Sequence, residues 1–118
     1  MANPNIVNVA TINGKTDVFA LTTTETDLVT ATANTVFKIN SILVSNIDGT
    51  NAADVTIKYN DGSNDRAIAS TISVPADATL AVVDKNSSFY LEETEKIKGT
   101  ASANSDLECL ISYEIISD

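Results

Sequence analysis

The sequence predicts an all-β chain folded as a two-layer antiparallel β-sandwich, of jelly-roll or immunoglobulin-like type. Three observations carry this. Short runs rich in Val, Ile and Thr recur about every ten residues, separated by clusters of Asn, Asp, Ser and Gly, which is the pattern of many short strands. No stretch of about twelve residues keeps a helical period. Thr, Ser and Asn supply roughly a third of the 118 residues, favouring strands and the turns between them. The length suits one domain, residues 1–118, with a single core. Hydrophobic residues make up 43% of the chain but aromatics only 5%, and Trp is absent, so that core is built from Val, Ile, Leu and Ala. One cysteine and no tryptophan exclude the Cys…Trp…Cys pattern of true immunoglobulin domains.

In chain order, Pro4 holds Asn3 extended and Ile6 to Ile12 reads as a first strand. Asn13-Gly14, a strong two-residue hairpin signal, leads to a second strand from Thr16 to Thr22. Leu28 to Ala33 is a short Thr-rich strand. The clearest signal runs from Val36 to Tyr59, where Val55, Ile57 and Tyr59 alternate with Asp54, Thr56 and Lys58. With Asp48-Gly49-Thr50-Asn51 as turn chemistry, this whole stretch reads as a long central hairpin. The loop Asn60–Asp65 leads to a strand from Arg66 to Val74, which Pro75 ends. Strands follow at Thr79–Asp84, Phe89–Leu91, Glu95–Ser102 (with Gly99 as a bulge or bend) and Leu107–Ile116. The expected core is Phe37, Ile39, Leu43, Val55, Ile57, Ile72, Val82, Ile97, Cys109 and Ile111.

The chemistry-bearing residues are few. Sixteen acidic and seven basic residues give a net charge of −9 and a pI near 4.2, with no basic cluster of the kind that binding nucleic acid requires. Histidine is absent, removing the commonest general base and metal ligand. Cys109, alone, falls on the Leu107, Ile111, Tyr113 face of the last strand and reads as a buried structural thiol. Asp48 and Asn51 in one loop, and Asp61, Asn64 and Asp65 in the next, offer oxygen atoms but match no calcium-loop spacing. Glu92, Glu93 and Glu95 read as a solvated turn rather than a glycosidase acid pair. No phosphate loop, nucleophile elbow or metal motif occurs, so neither an enzyme nor a cofactor is expected. MANPNIVNV is not a secretory signal and no apolar run has the length of a membrane span.

The central strand is apolar on both faces. Counting alternation straight through it, Val36, Ile42 and Val44 lie opposite the core face, and Ile116 does so on the last strand. That surplus predicts an interface between identical subunits, most plausibly a trimer, because monomers rarely expose large apolar patches. The loops holding Asp48, Asn51, Asp61 and Asn64 would then face a larger assembly or project from it.

The string FKINSILVSNIDGTNAADVTIKY, followed by AIASTISVPADATLAVVDK, FYLEETEKIKGTAS and a terminal LECLISYEIIS, resembles small virion structural proteins of tailed bacteriophages, especially marine and cyanobacterial ones. The likeness spans nearly the whole chain, including its MANPNIVNV opening and closing SYE. It departs at Glu93-Thr94-Glu95, where the family carries a Gly-Asp turn. What the resemblance implies is a capsid decoration (cement) protein on the outside of a shell. Its partners would be identical subunits and the major capsid protein or other virion proteins, and it would be made in the host cytoplasm. A neck, tail or fibre subunit is the alternative, and a host-glycan binding module a further one, disfavoured by the scarcity of aromatic platforms.

Overall fold

The structure, a computed structural model, describes residues 3–118. Nine strands and no helix are found among them: β1 Thr11–Ala20, β2 Thr26–Thr30, β3 Thr35–Asn46, β4 Ala53–Asn60, β5 Asp65–Val74, β6 Thr79–Val83, β7 Phe89–Leu91, β8 Lys96–Ala101 and β9 Leu107–Ser117. They form two antiparallel sheets. Sheet I has the order β1-β9-β3-β6, with β7 also paired to β3, and sheet II the order β2-β8-β4-β5. Consecutive strands therefore alternate between sheets along much of the chain, the double Greek key of a jelly roll. Of the two sandwich types expected, this is the jelly roll.

Two expected hairpins are not formed. The stretch from Val36 to Tyr59 is an arch rather than a hairpin: β3 belongs to sheet I and β4 to sheet II. Asn46, buried at the crossing, donates through Nδ2 to the Val74 and Asn51 carbonyls and accepts from the Asp48 amide. Its amide thus replaces the ladder bonds that the chain gives up as it changes sheets. Asn13-Gly14 does not turn either. It lies inside β1, which pairs with β9 from Thr11↔Ser117 to Ala20↔Glu108 without interruption. Ten continuous cross-strand pairs outweigh one local turn preference. The strand expected from Ile6 is absent, and Asn5 to Asn8 form a turn instead.

Phe37, Ile39, Val55, Ile57, Ile97, Cys109 and Ile111 fill the core as expected, and Val82 packs at its margin. Leu43 and Ile72 do not belong to it. On β3 the register against β9 shifts between Ile39 and Ser41, so Asn40 is an extra residue. A bulge reverses the facing of everything beyond it. Phe37, Ile39, Ile42 and Val44 consequently all point inward, and Leu43 points out. Ile72 lies on β5, an edge strand whose register slips twice, and is 40% exposed.

Gly99 is no bulge. Its pairing with Ile57 is regular, and the extra residue belongs to the facing strand β2, at Leu28. A Cβ on Gly99 would lie 2.7 Å from Leu28 Cδ1 and 3.1 Å from Leu21 Cδ2, so the close packing here favours glycine. At the departure from the family pattern, Thr94 adopts φ 72°. It thus takes the left-handed conformation glycine would hold, in a turn closed by the Glu95 amide on the Glu92 carbonyl (2.9 Å).

Candidate functional site

Each sheet has one face in the core and one facing away, and the two outer faces differ in chemistry. On sheet II the outward residues are polar and their charges pair. Lys58 Nζ lies 2.9 Å from Glu25, Lys96 3.1 Å from Asp27, and Lys98 3.3 Å from Asp65 and 3.8 Å from Glu25. The side-chain hydrogen bond from Asn60, with help from Lys98, holds the Asp65 carboxyl below its usual range, and the bond to Glu25 raises Lys58. Three lysines and three carboxylates thus pair on this water-facing side, which also carries Asp54.

Sheet I carries an apolar row instead. Val18 on β1 lies opposite Leu110 on β9, Leu110 opposite Leu43 on β3, and Leu43 opposite Ala81 on β6. Val18 is 62% exposed, Ala81 is exposed, and the two leucines are half-buried. Three inter-strand steps make the row about 15 Å long. Thr16, Ser112 and Ser41 flank it on one side, and Ala20, Glu108, Ser45 and Thr79 on the other.

The four residues expected at a subunit interface are all buried within the chain. Ile42 and Val44 are completely enclosed in the core because of the Asn40 bulge. Val36 and Ile116 do point outward, opposite one another, but each is only 4% exposed. The leader folds back here: Pro4 is buried, and Pro4 and Ile6 share a shallow pocket with Val36 and Tyr90. Asn3, through its side-chain amide, donates to Glu92. The apolar surface left facing outward is the neighbouring row, which straight alternation misses because the bulge moves Leu43 to the outside.

The acidic loops are not brought together. Asp48 and Asp61 stand beyond opposite ends of β4, whose eight residues span about 26 Å. Asp48 Oδ1 accepts from the Thr50 and Asn51 amides (2.7 and 3.2 Å), and Asp61 Oδ1 from Asn64 and Ser63 (2.7 and 3.0 Å). These backbone bonds hold both carboxyls below the usual range and shape the turns. No group of three or more potential metal ligands occurs among the described residues. Cys109 is enclosed in the core, where burial pushes its thiol up to about 12. Between β5 and the β6–β7 edge the sandwich leaves an apolar groove of about 310 Å³ lined by Tyr59, Ile68, Val82, Val83, Phe89 and Tyr90.

No family model matches the sequence, and no curated protein matches it. Solved structures do match the fold. A chain of the disulfide-linked pili that form Bacillus endospore appendages superposes with a TM-score of 0.54 at 13% identity, over 92% of this chain and 88% of that one. A chain of the acid-stable capsid of Helicobacter pylori bacteriophage KHP30 also gives 0.54, at 6% identity, over 92% of this chain and 90% of that one. At such identities what is shared is the jelly-roll sandwich.

Proposed function

We propose that this chain is a structural subunit of a phage virion, a decoration (cement) protein seated on the outside of the capsid shell and acting mechanically rather than catalytically. The observation that carries the reading is the contrast between the outer faces. Sheet II satisfies its own charges, while sheet I presents the Val18–Leu110–Leu43–Ala81 row, which burial against another protein stabilises. The resemblance to tailed-phage virion proteins and the fold shared with a capsid chain support the same class. In this role the apolar row faces the major capsid protein and the charge-paired sheet faces water. Each contact can be weak, because many copies on one lattice gain avidity. The net charge of −9 keeps the free protein soluble in the host cytoplasm until a shell is present. Nucleic acid is no partner in this reading, since three of the seven basic residues are already paired on sheet II.

Imaging of particles carrying and lacking the protein tests this. Regular density on the outer shell is expected, and it should vanish with Leu110→Asp while circular dichroism shows the purified variant still folded. Density confined to the neck, tail or fibres transfers the protein to that part of the virion and ends the decoration reading. A protein absent from particles ends the virion reading as well.

A further inference from the structure

Strand β1 is the one free sheet edge that the fold leaves unprotected. An open edge is a template for another strand, and proteins blunt it by shortness, bulges or proline. The other edges are blunted. β2 has five residues and an extra one at Leu28, and β6 has five with an extra one at Val82. β7 has three, and β5 slips register twice and carries Thr71 at φ 52°. β1, by contrast, runs for ten residues with no proline and no slip, and among the described residues β9 is its only neighbour.

We infer that β1 pairs antiparallel with β1 of a second copy of this chain, in the register that sets Thr16 against Thr16. The register follows from charge. Lys15 and Asp17 share the face of Tyr113, whose hydroxyl donates to Asp17 at 2.6 Å, and the even-numbered residues from Ile12 to Ala20 occupy the other face. A two-fold pairing that keeps like faces together can slide only in steps of one facing pair. Centred on Lys15 it opposes two lysines, and centred on Asp17 it opposes two aspartates. Lys15 and Asp17 already lie 3.8 Å apart within one chain, and centring on Thr16 sets each Lys15 against Asp17 of the other copy as well, a four-charge cluster of alternating sign in place of repulsion. Val18 then meets the bare Cα of Gly14, and Ile12 meets Ala20, so no bulky side chains collide. A lone inward lysine would blunt this edge, but Lys15 with Asp17 favours the one register that pairs opposite charges. The two copies share one continuous sheet, which sets their apolar rows on a common face.

This contact needs no shell, so its test stands apart from that of the virion role. Sedimentation of the purified protein should give twice the 12.4 kDa of one chain. Lys15→Glu, at an exposed side chain, should halve that mass while circular dichroism shows the chain still folded. Under mild oxidation Thr16→Cys should form a covalent dimer, since facing Cα atoms lie about 4.5–5.5 Å apart, within disulfide range. Asn13→Cys should form none above background, and the enclosed Cys109 stays silent in both. A wild-type mass of one or three chains, a dimer indifferent to Lys15→Glu, or equal crosslinking at positions 13 and 16 overturns the inference.

Discussion

The Asn40 bulge on β3 makes neighbouring residues differ sharply in energetic weight, and alanine substitution at Ile42 and Leu43 measures that difference. Ile42 is fully enclosed, opposite Ile111 and Val83. Truncating it removes buried methyl and methylene groups and leaves a cavity between two sheets that cannot easily close, a loss of about 2–5 kcal/mol. Leu43 is half-buried on the outer face. Full burial of a leucine stabilises by about 1.5–3 kcal/mol, so Leu43→Ala costs about 1 kcal/mol and opens no enclosed cavity. Urea unfolding followed by far-ultraviolet circular dichroism separates the two. With a slope of about 1–3 kcal/mol per molar urea, the midpoint for Ile42→Ala should fall at least about twice as far as that for Leu43→Ala. Equal shifts, or a larger one at Leu43, would mean that β3 alternates regularly and that the apolar row does not exist. Val44→Lys belongs to the same logic: at a fully enclosed site it should prevent folding rather than merely dissociate an assembly.

Other outcomes follow from single sites. Gly99→Ala should destabilise by about 1–2 kcal/mol in the same urea assay, because Leu28 can swing aside while the enclosed Leu21 and Ile57 cannot; an unchanged midpoint would contradict the close packing at this position. Cys109 should resist thiol reagents in the native protein and react fully in denaturant, and rapid labelling of the folded chain would place the thiol outside the core. Backbone and side-chain hydrogen bonds hold the Asp48, Asp61 and Asp65 carboxyls below the usual carboxylate range, so their stabilisation is complete above that range and is lost as pH falls through the lower, folded values. Thermal stability should hold from neutral pH to about pH 4 and then decline. Asp61→Asn should flatten that decline, and an unchanged acid limb would show that its backbone bonds do not matter to the folded state.

The period-two pattern of Val55, Ile57 and Tyr59 was legible because β4 is a central strand without a bulge of its own. Core positions on such strands follow from alternation alone. On β3 the same counting fails beyond Asn40, since nothing in the local string announces an extra residue until the partner strand β9 is in place. That failure sent Ile42 and Val44 outward on paper and hid Leu43, the middle of the row now proposed to dock. Val36 was read as outward correctly, yet its burial depends on a leader whose Pro4 and Ile6 carry no pattern that points to it.

By itself the sequence determined composition-level and local properties. These are an all-β chain with an aliphatic core, an acidic net charge, the turns capped by Asp48 and Asp61, and strand positions accurate to a few residues wherever alternation is regular. Each depends on neighbours close in the chain, whose preferences add along the backbone. The tertiary structure alone decided which strands pair. Asn13-Gly14 passes straight through β1 because ten pairs with β9, about a hundred residues away, outweigh a two-residue turn, and β3 and β4 part at Asn46 because each finds its hydrogen-bond partners in a different sheet. Bulges, edges and the outer apolar row are consequences of that long-range pairing, and a local pattern contains no information about a strand that has not yet arrived beside it.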